Sequence, residues 1–300
     1  MTKLIAIILM IFTAILHVLF GSPRVYAGQI SSSVTTRDGR SPADCGAIDV
    51  TFDDQPAARA SESFTIPTGD ADALRAVLPS GSGVRVTGWD RDEYAVTVCK
   101  AARDGATLSR VAVAHQGGDL TPSGPSGDAW LVYLLVRAPR GASLDFEARN
   151  GSIDVKGVSG KIRARTRNGP VSLSGCDAEI VATTENGPIS FSGRGRNVDL
   201  RANNGPVSVR LEGSSWEGGR LTARTRNGPL SLSLESGFRS GVDVRSTGNS
   251  PFSCSAEACA GADRTWDEGQ RGVHFGDRQS VVSVSTENGP VSIQTPKNDI

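Results

Sequence analysis

Along the second half of the chain, apolar and polar positions alternate with period two in short runs. Ile162, Ala164 and Thr166 fall on one side of a strand, and Arg163, Arg165 and Arg167 fall on the other. After Asn168-Gly169-Pro170 the apolar or small set resumes as Val171, Leu173 and Gly175. The next units repeat this with Ile180, Ala182 and Thr184, then Ile189, Phe191 and Gly193, and with Val198, Leu200 and Ala202, then Val207, Val209 and Leu211. Each unit therefore predicts two short strands sharing one apolar face. The break between the two strands reads NGPVSL from Asn168, NGPISF from Asn186, NGPVSV from Asn204, NGPLSL from Asn227 and NGPVSI from Asn288, with NGSIDV opening the series at Asn150. The first four copies are spaced by a strict 18 residues, which marks a repeat architecture built from one supersecondary unit.

Two arrangements bury such a face. Asn-Gly is a strong hairpin signal and allows an antiparallel meander. Proline argues against it: Pro170, Pro188, Pro206, Pro229 and Pro290 stand where a returning strand begins to pair, and proline has no N–H to donate. A meander also leaves its apolar face in need of a second layer, whereas coiling each unit once around a common axis buries the face against itself. The expected fold is all-β, a single-stranded parallel β-solenoid of the β-helix type with roughly 18-residue, two-strand coils. Asn150, Asn168, Asn186, Asn204, Asn227 and Asn288 share the parity of the inward residues, so they are expected to form an inner ladder at one corner, amide bonded to amide. The following glycine is expected to supply a positive φ there, and proline to fix the exit. The Asn-Gly motifs do not fit the glycan acceptor pattern.

Lys3 precedes an apolar run from Leu4 to Phe20, followed by Gly21, Ser22 and Pro23 and by Val25-Tyr26-Ala27, so residues 1–27 read as a signal peptide with the mature chain starting at Gly28. No cysteine stands directly after the run, so a lipid-modified N-terminus is not suggested. Residues 28–44 are polar and small and read as a flexible lead. Residues 45–140 read as an N-terminal β region with first irregular coils, in which Ala71 to Leu78 has room for a turn or two of helix and Leu131 to Val136, apolar on both faces, suits a fully buried strand. Residues 141–295 are expected to hold the regular coils, with insertions at 212–220 and 255–279.

The phrases GVRVTGWDRDEYAVTV (from Gly83) and VRAPRGASLDFEARNGSIDVKGVSGKIRARTRNGPVSL (from Val136), with the recurrent NGPxS units, resemble the bacterial putative-adhesin family of unknown function, also called the toastrack family. The resemblance covers roughly residues 45–295. It implies a β-solenoid displayed outside the cytoplasmic membrane, linked to the cell surface and envelope-stress systems, with no established catalytic residues to carry over.

The formal charge is zero, and loss of Lys3 and Arg24 with the targeting segment leaves two more acidic than basic side chains, which excludes nucleic-acid binding by bulk electrostatics. No second apolar run approaches a membrane span. Localisation is expected to be secreted or periplasmic. Of the five cysteines, Cys254 with Cys259 and Cys45 with Cys99 are the expected disulfides, leaving Cys176 odd. A zinc site of Cys254, Cys259 and His274 matches no zinc spacing, and no metal or cofactor is expected. His115 and His274 sit in no nucleophile motif. Arg165, Arg201 and Arg224 fall in one outward column suited to an acidic polymer. Connections between units collect on one edge, a common place for binding, and Trp216, Trp266, His274, Phe275 and Trp89 are assigned to that edge as ligand-binding candidates. The expected function is an exported, non-enzymatic, adhesin-like surface or periplasmic binding or scaffold protein, with cell-wall or extracellular polysaccharide or an envelope protein as partner. The alternatives are a polysaccharide-active enzyme on a β-helix and a self-assembling structural solenoid.

Overall fold

The chain divides into two units, Met1–Ser31 and Ser32–Ile300. The computed structural model describes residues 32–36, 42–127, 129–247, 250–267, 269–277 and 279–296. The first unit, with the segment read as a signal peptide, lies outside the described residues.

Among its described residues the second unit is all-β, with one sheet of eleven strands, one of twelve and a small sheet of three. Through the repeats the chain visits the two large sheets in turn. Leu144–Ala148, Lys161–Asn168, Glu179–Asn186, Val198–Asn204, Leu221–Asn227 and Ser280–Asn288 are successive neighbours in the twelve-strand sheet. Ile153–Lys156, Val171–Ser174, Ile189–Gly193, Val207–Leu211, Leu230–Leu234 and Val291–Gln294 are successive neighbours in the eleven-strand sheet. All of these pairs are parallel and in register, residue for residue, at the 18-residue step as far as Val198–Asn204 and Val207–Leu211 and across the insertions beyond them. Proline donates nothing to the corner ladder, but its carbonyl accepts from the strand on the preceding rung, as in Val171 N–H to Pro188 O at 2.9 Å and Leu230 N–H to Pro290 O at 2.9 Å.

The inward side chains form one core. Small and large residues complement each other across it: Ala164 and Ala182 on one sheet share the interior with Leu173 and Phe191 on the other, all at most 2 % exposed.

The asparagines form a ladder. Asn168 Nδ2 donates to Asn150 Oδ1 at 2.6 Å, Asn186 to Asn168 at 2.8 Å, Asn204 to Asn186 at 2.9 Å, Asn227 to Asn204 at 2.9 Å and Asn288 to Asn227 at 3.0 Å. It is not an inner ladder, however, because every one of these side chains is exposed. The asparagine is the last residue of its strand, where the chain turns the corner and the side chain meets solvent, and the last buried position falls to the threonine two residues earlier. Thr166, Thr184, Thr225 and Thr286 are buried and donate to the corner carbonyls of Gly151, Gly169, Gly205 and Gly228 at 2.8–3.3 Å. An exposed amide loses less than a buried one, so Asn186→Ala is expected to cost about 1 kcal/mol, measured by urea unfolding. A loss above about 3 kcal/mol would mean that the amide is desolvated.

The corner glycines also act differently from expectation. Gly151, Gly169, Gly187, Gly228 and Gly289 do not have positive φ. Instead each lies against the carbonyl of the corner beneath: a Cβ on Gly169 would stand 2.2 Å from Gly151 O, and one on Gly187 2.2 Å from Gly169 O. Close backbone approach is what demands glycine here.

One coil breaks sequence order. Gly241–Ser246 and Phe252–Cys254 make a further two-strand coil, but Ser280–Asn288 and Val291–Gln294 lie between it and the coil of Leu221–Asn227 and Leu230–Leu234. The last Asn-Gly-Pro corner thus stacks directly on the fourth, continuing the amide ladder, and the coil without that corner is displaced to the end. Insertion 255–279 contributes the antiparallel hairpin of Asp263–Asp267 and Gln270–Phe275, which extends the twelve-strand sheet.

Toward the N-terminus, Leu74–Leu78 and Gly83–Trp89 form the first coil under Leu144–Ala148 and Ile153–Lys156. Ala71 to Leu78 is therefore strand rather than helix over most of its length, because Leu74, Ala76 and Leu78 alternate inward. Trp130–Pro139 pairs in parallel with Gly83–Trp89 and antiparallel with Glu93–Ala102, which pairs antiparallel with Ala58–Pro67. Within the stretch read as a flexible lead, Ser32–Thr36 is a strand joined to Ile48–Phe52. The small sheet is stapled down by the Cys45–Cys99 disulfide. Ile48 and Val50 share an apolar pocket with Leu131 and Tyr133, which explains why Leu131 to Leu134 are buried on both faces.

Candidate functional site

Register converts the outward positions of each sheet into columns with one residue per rung, about 4.8 Å apart. On the twelve-strand sheet one column runs Glu147, Arg165, Thr183, Arg201, Arg224 and Ser285. A groove of about 760 Å³ follows it toward the asparagine corner, lined by Glu147, Arg149, Arg165, Arg167, Glu185 and Arg201 among others. Arg165 reaches Asp145 at 3.0 Å and Glu147 at 3.8 Å, Arg167 reaches Glu185 at 3.1 Å, and Arg201 pairs with Asp199. All are surface pairs and easily exchanged for a ligand anion. Arg149 and Arg224 are exposed and have no ion pair among the described residues.

The eleven-strand sheet is different. Its outward columns carry Ser172, Ser190, Ser208, Ser231 and Ser292, and beside them Ser174, Ser192, Arg210, Ser233 and Gln294. Hydroxyls thus predominate on this face from the Val171–Ser174 rung onward, beyond Asp154 and Lys156 at the head of the same two columns.

The aromatic candidates are not brought together. Trp216 is 6 % exposed, its ring set edge-on to Phe191 at 6.2 Å and its backbone N–H bonded to Ser240 Oγ at 2.9 Å. Phe275 is 4 % exposed. Both are core residues, corrected from the edge assignment: the insertions fold back and cover the interior rather than presenting rings to solvent. Trp266 is 49 % exposed, edge-packed on Phe252 at 5.6 Å with the Arg271 guanidinium 5.6 Å from its ring. His274 is half-buried in the neighbouring strand, cross-strand from Asp243 and Asp263. Trp89 belongs to the other large sheet, half-buried, with Arg91 and Arg137 at 5.0 and 5.9 Å from its ring. Arg137 was not singled out from the sequence. Its outward parity in Trp130–Pro139 was legible, but its cross-strand neighbour Thr87 was not.

Cys254 and Cys259 form a disulfide, so neither is available as a zinc thiolate. Cys176 is free and buried, its thiol toward Val155 O at 3.7 Å, and burial pushes its pKa up, away from nucleophilic reactivity. His115 stacks on Phe64 with centroids 4.5 Å apart. Among the described residues no helix is long and apolar enough to cross a membrane.

No family model matches the chain, and no curated protein matches it. Solved structures do. The chain is similar to a putative cell adhesion protein from Clostridium sporogenes at 12 % identity and a TM-score of 0.31, over 80 % of this chain and 100 % of that one. It is also similar to a putative lipid binding protein from Parabacteroides distasonis at 10 % identity and a TM-score of 0.33, over 80 % and 97 % of the two chains. With a putative adhesin from Bacteroides fragilis the identity is 10 % and the TM-score 0.24, again over 80 % and 97 %.

Proposed function

We propose that the chain is an exported, non-enzymatic, adhesin-like surface or periplasmic binding and scaffold protein, coiled as a β-solenoid whose arginine-bearing face holds an acidic polysaccharide of the cell wall or extracellular matrix. The observation that carries this reading is the in-register column of Arg165, Arg201 and Arg224 beside a groove of about 760 Å³. A linear polyanion laid along the stacking direction meets one outward position per rung, and guanidinium groups hold carboxylates through charge-assisted, often bidentate, hydrogen bonds. Guanidinium stays protonated at any physiological pH, so this face is suited to holding charge and not to proton transfer. The sequence resemblance to envelope-displayed solenoids points the same way.

The test is calorimetric titration of the full chain with polygalacturonate and with a neutral glucan. The acidic polymer is expected to bind alone, and to weaken as added salt shortens the Debye length from ~10 Å to ~3 Å. The double variant Arg201→Gln/Arg224→Gln is expected to lose about tenfold in affinity, the loss of one to two charge-assisted hydrogen bonds. Equal binding of the neutral glucan, or no effect of the variant, would sink the reading. Release of reducing ends from the acidic polymer would replace it with the enzyme alternative.

A further inference from the structure

A second concave site lies on the outward face of the eleven-strand sheet, near its N-terminal end. Its floor is two cross-strand rows: Thr65, Ala95, Arg137 and Thr87 in one, and Thr97, Leu135 and Arg85 in the next. One wall is the segment from Pro42 to Cys45, anchored by the Cys45–Cys99 disulfide and by Arg85 Nη1 donating to Pro42 O at 2.8 Å. The other wall is Trp89, whose Nε1 donates to Glu93 O at 2.8 Å and so fixes the indole before any ligand arrives. The space enclosed is about 720 Å³, within the range of small-molecule sites.

Its cations are not equivalent. Arg85 is spent on Asp154 at 3.7 Å and Arg91 on Glu93 at 3.6 Å. Arg140, across the Trp89 turn, is held by Asp90 at 2.6 Å, and this pairing keeps the Asp90 carboxyl below its ordinary pKa. Arg137 is exposed in the middle of the floor and has no carboxylate partner among the described residues. Around it stand the hydroxyls of Thr65 and Thr87, neither bonded within the protein among the described residues, and the apolar surface of Ala95 and Leu135, while the two carboxylates of the lining are engaged, Asp44 by Ala47 N–H at 3.0 Å and Glu93 by Arg91.

We propose that this cleft is a binding site for a single acidic sugar, a hexuronate or the acidic end unit of a glycan. Arg137, steadied over the Trp89 ring at 5.9 Å, takes the carboxylate beside the indole, the threonine hydroxyls exchange hydrogen bonds with the ring hydroxyls, and Leu135 meets the C–H face. This site uses neither residues nor faces of the arginine column, so the inference stands apart from that reading.

The experiment is titration of the full chain with glucuronate, glucose and inorganic phosphate, followed by tryptophan fluorescence and calorimetry. Glucuronate is expected to bind at least about tenfold more tightly than glucose or phosphate, the worth of one charge-assisted pair plus ring contacts. Arg137→Gln is expected to abolish that preference at an unchanged unfolding midpoint, since the side chain is exposed, and Trp89→Phe to remove the fluorescence response while retaining the fold. Arg201→Gln/Arg224→Gln is expected to leave monosaccharide binding intact. Phosphate as tight as glucuronate, glucose as tight as glucuronate, no binding of glucuronate, or an Arg137→Gln variant with unchanged affinity would each overturn the proposal.

Discussion

Alanine at Gly187 is expected to destabilise the fold by about 3 kcal/mol, the upper part of the range for overpacking a close-packed site. The added Cβ would sit 2.2 Å from Gly169 O and 2.7 Å from Gly169 C, both backbone atoms. Neither can withdraw, because Gly169 N–H is bonded to Asn186 O at 3.1 Å and Gly187 N–H to Asn204 O at 3.0 Å. Relief at one corner therefore opens the rung above and below. The comparison variant is Gly141→Ala, where nothing lies within 4 Å of the added carbon, and its cost is expected within about 0.5 kcal/mol. Urea unfolding of both decides the matter: similar midpoints would mean that the corner glycines serve flexibility and not close approach.

Trp216→Ala is expected to cost about 3 kcal/mol, the low end for deleting a buried tryptophan. The ring fills space against Phe191 and near Gly195, where a Cβ would stand 3.3 Å from the indole. The lower figure follows from Nε1, which is buried without a hydrogen-bond partner and already charges the native state a desolvation cost. Trp266→Ala, with half of its surface exposed, is expected to lower stability by about 1 kcal/mol. If thermal unfolding ranks the two in the opposite order, the account of the insertions as interior covers fails.

The alternation of Ile162, Ala164 and Thr166 with Arg163, Arg165 and Arg167 made the strands, their faces and the rung spacing legible, because period and parity are local properties. The arginine column was legible for a similar reason: Arg165, Arg201 and Arg224 each stand three residues before an Asn-Gly-Pro corner, and equivalent positions of a repeat need no tertiary information to be aligned. The order of the coils was not. Nothing near Gly241 announces that its coil is bypassed by Ser280–Asn288, since the choice depends on which corner can accept Asn288 Nδ2, a pairing across 61 residues. The side occupied by the asparagines was misread because inward parity no longer implies burial at the last residue of a strand, where the chain turns the corner. Trp216 and Phe275 looked like surface rings because an insertion's sequence does not say whether it folds outward or back. The Trp89 cleft needed Thr65, Ala95, Arg137 and Thr87 in one cross-strand row, and this mixed parallel and antiparallel pairing of non-repeated strands leaves no periodic trace.

The claim under all of this is that equivalent residues of successive units stack in parallel, one strand apart. Ser172 and Ser292 lie in one column four strand spacings apart, through Ser190, Ser208 and Ser231. Spin labels on cysteines placed at these two positions, in a Cys176→Ala background, report that separation by pulsed dipolar spectroscopy. The stack predicts a single distance near 19 Å, four spacings of about 4.8 Å. An antiparallel meander of the same strands would interpose a strand at every step, and a distance of about 38 Å or more would contradict the account.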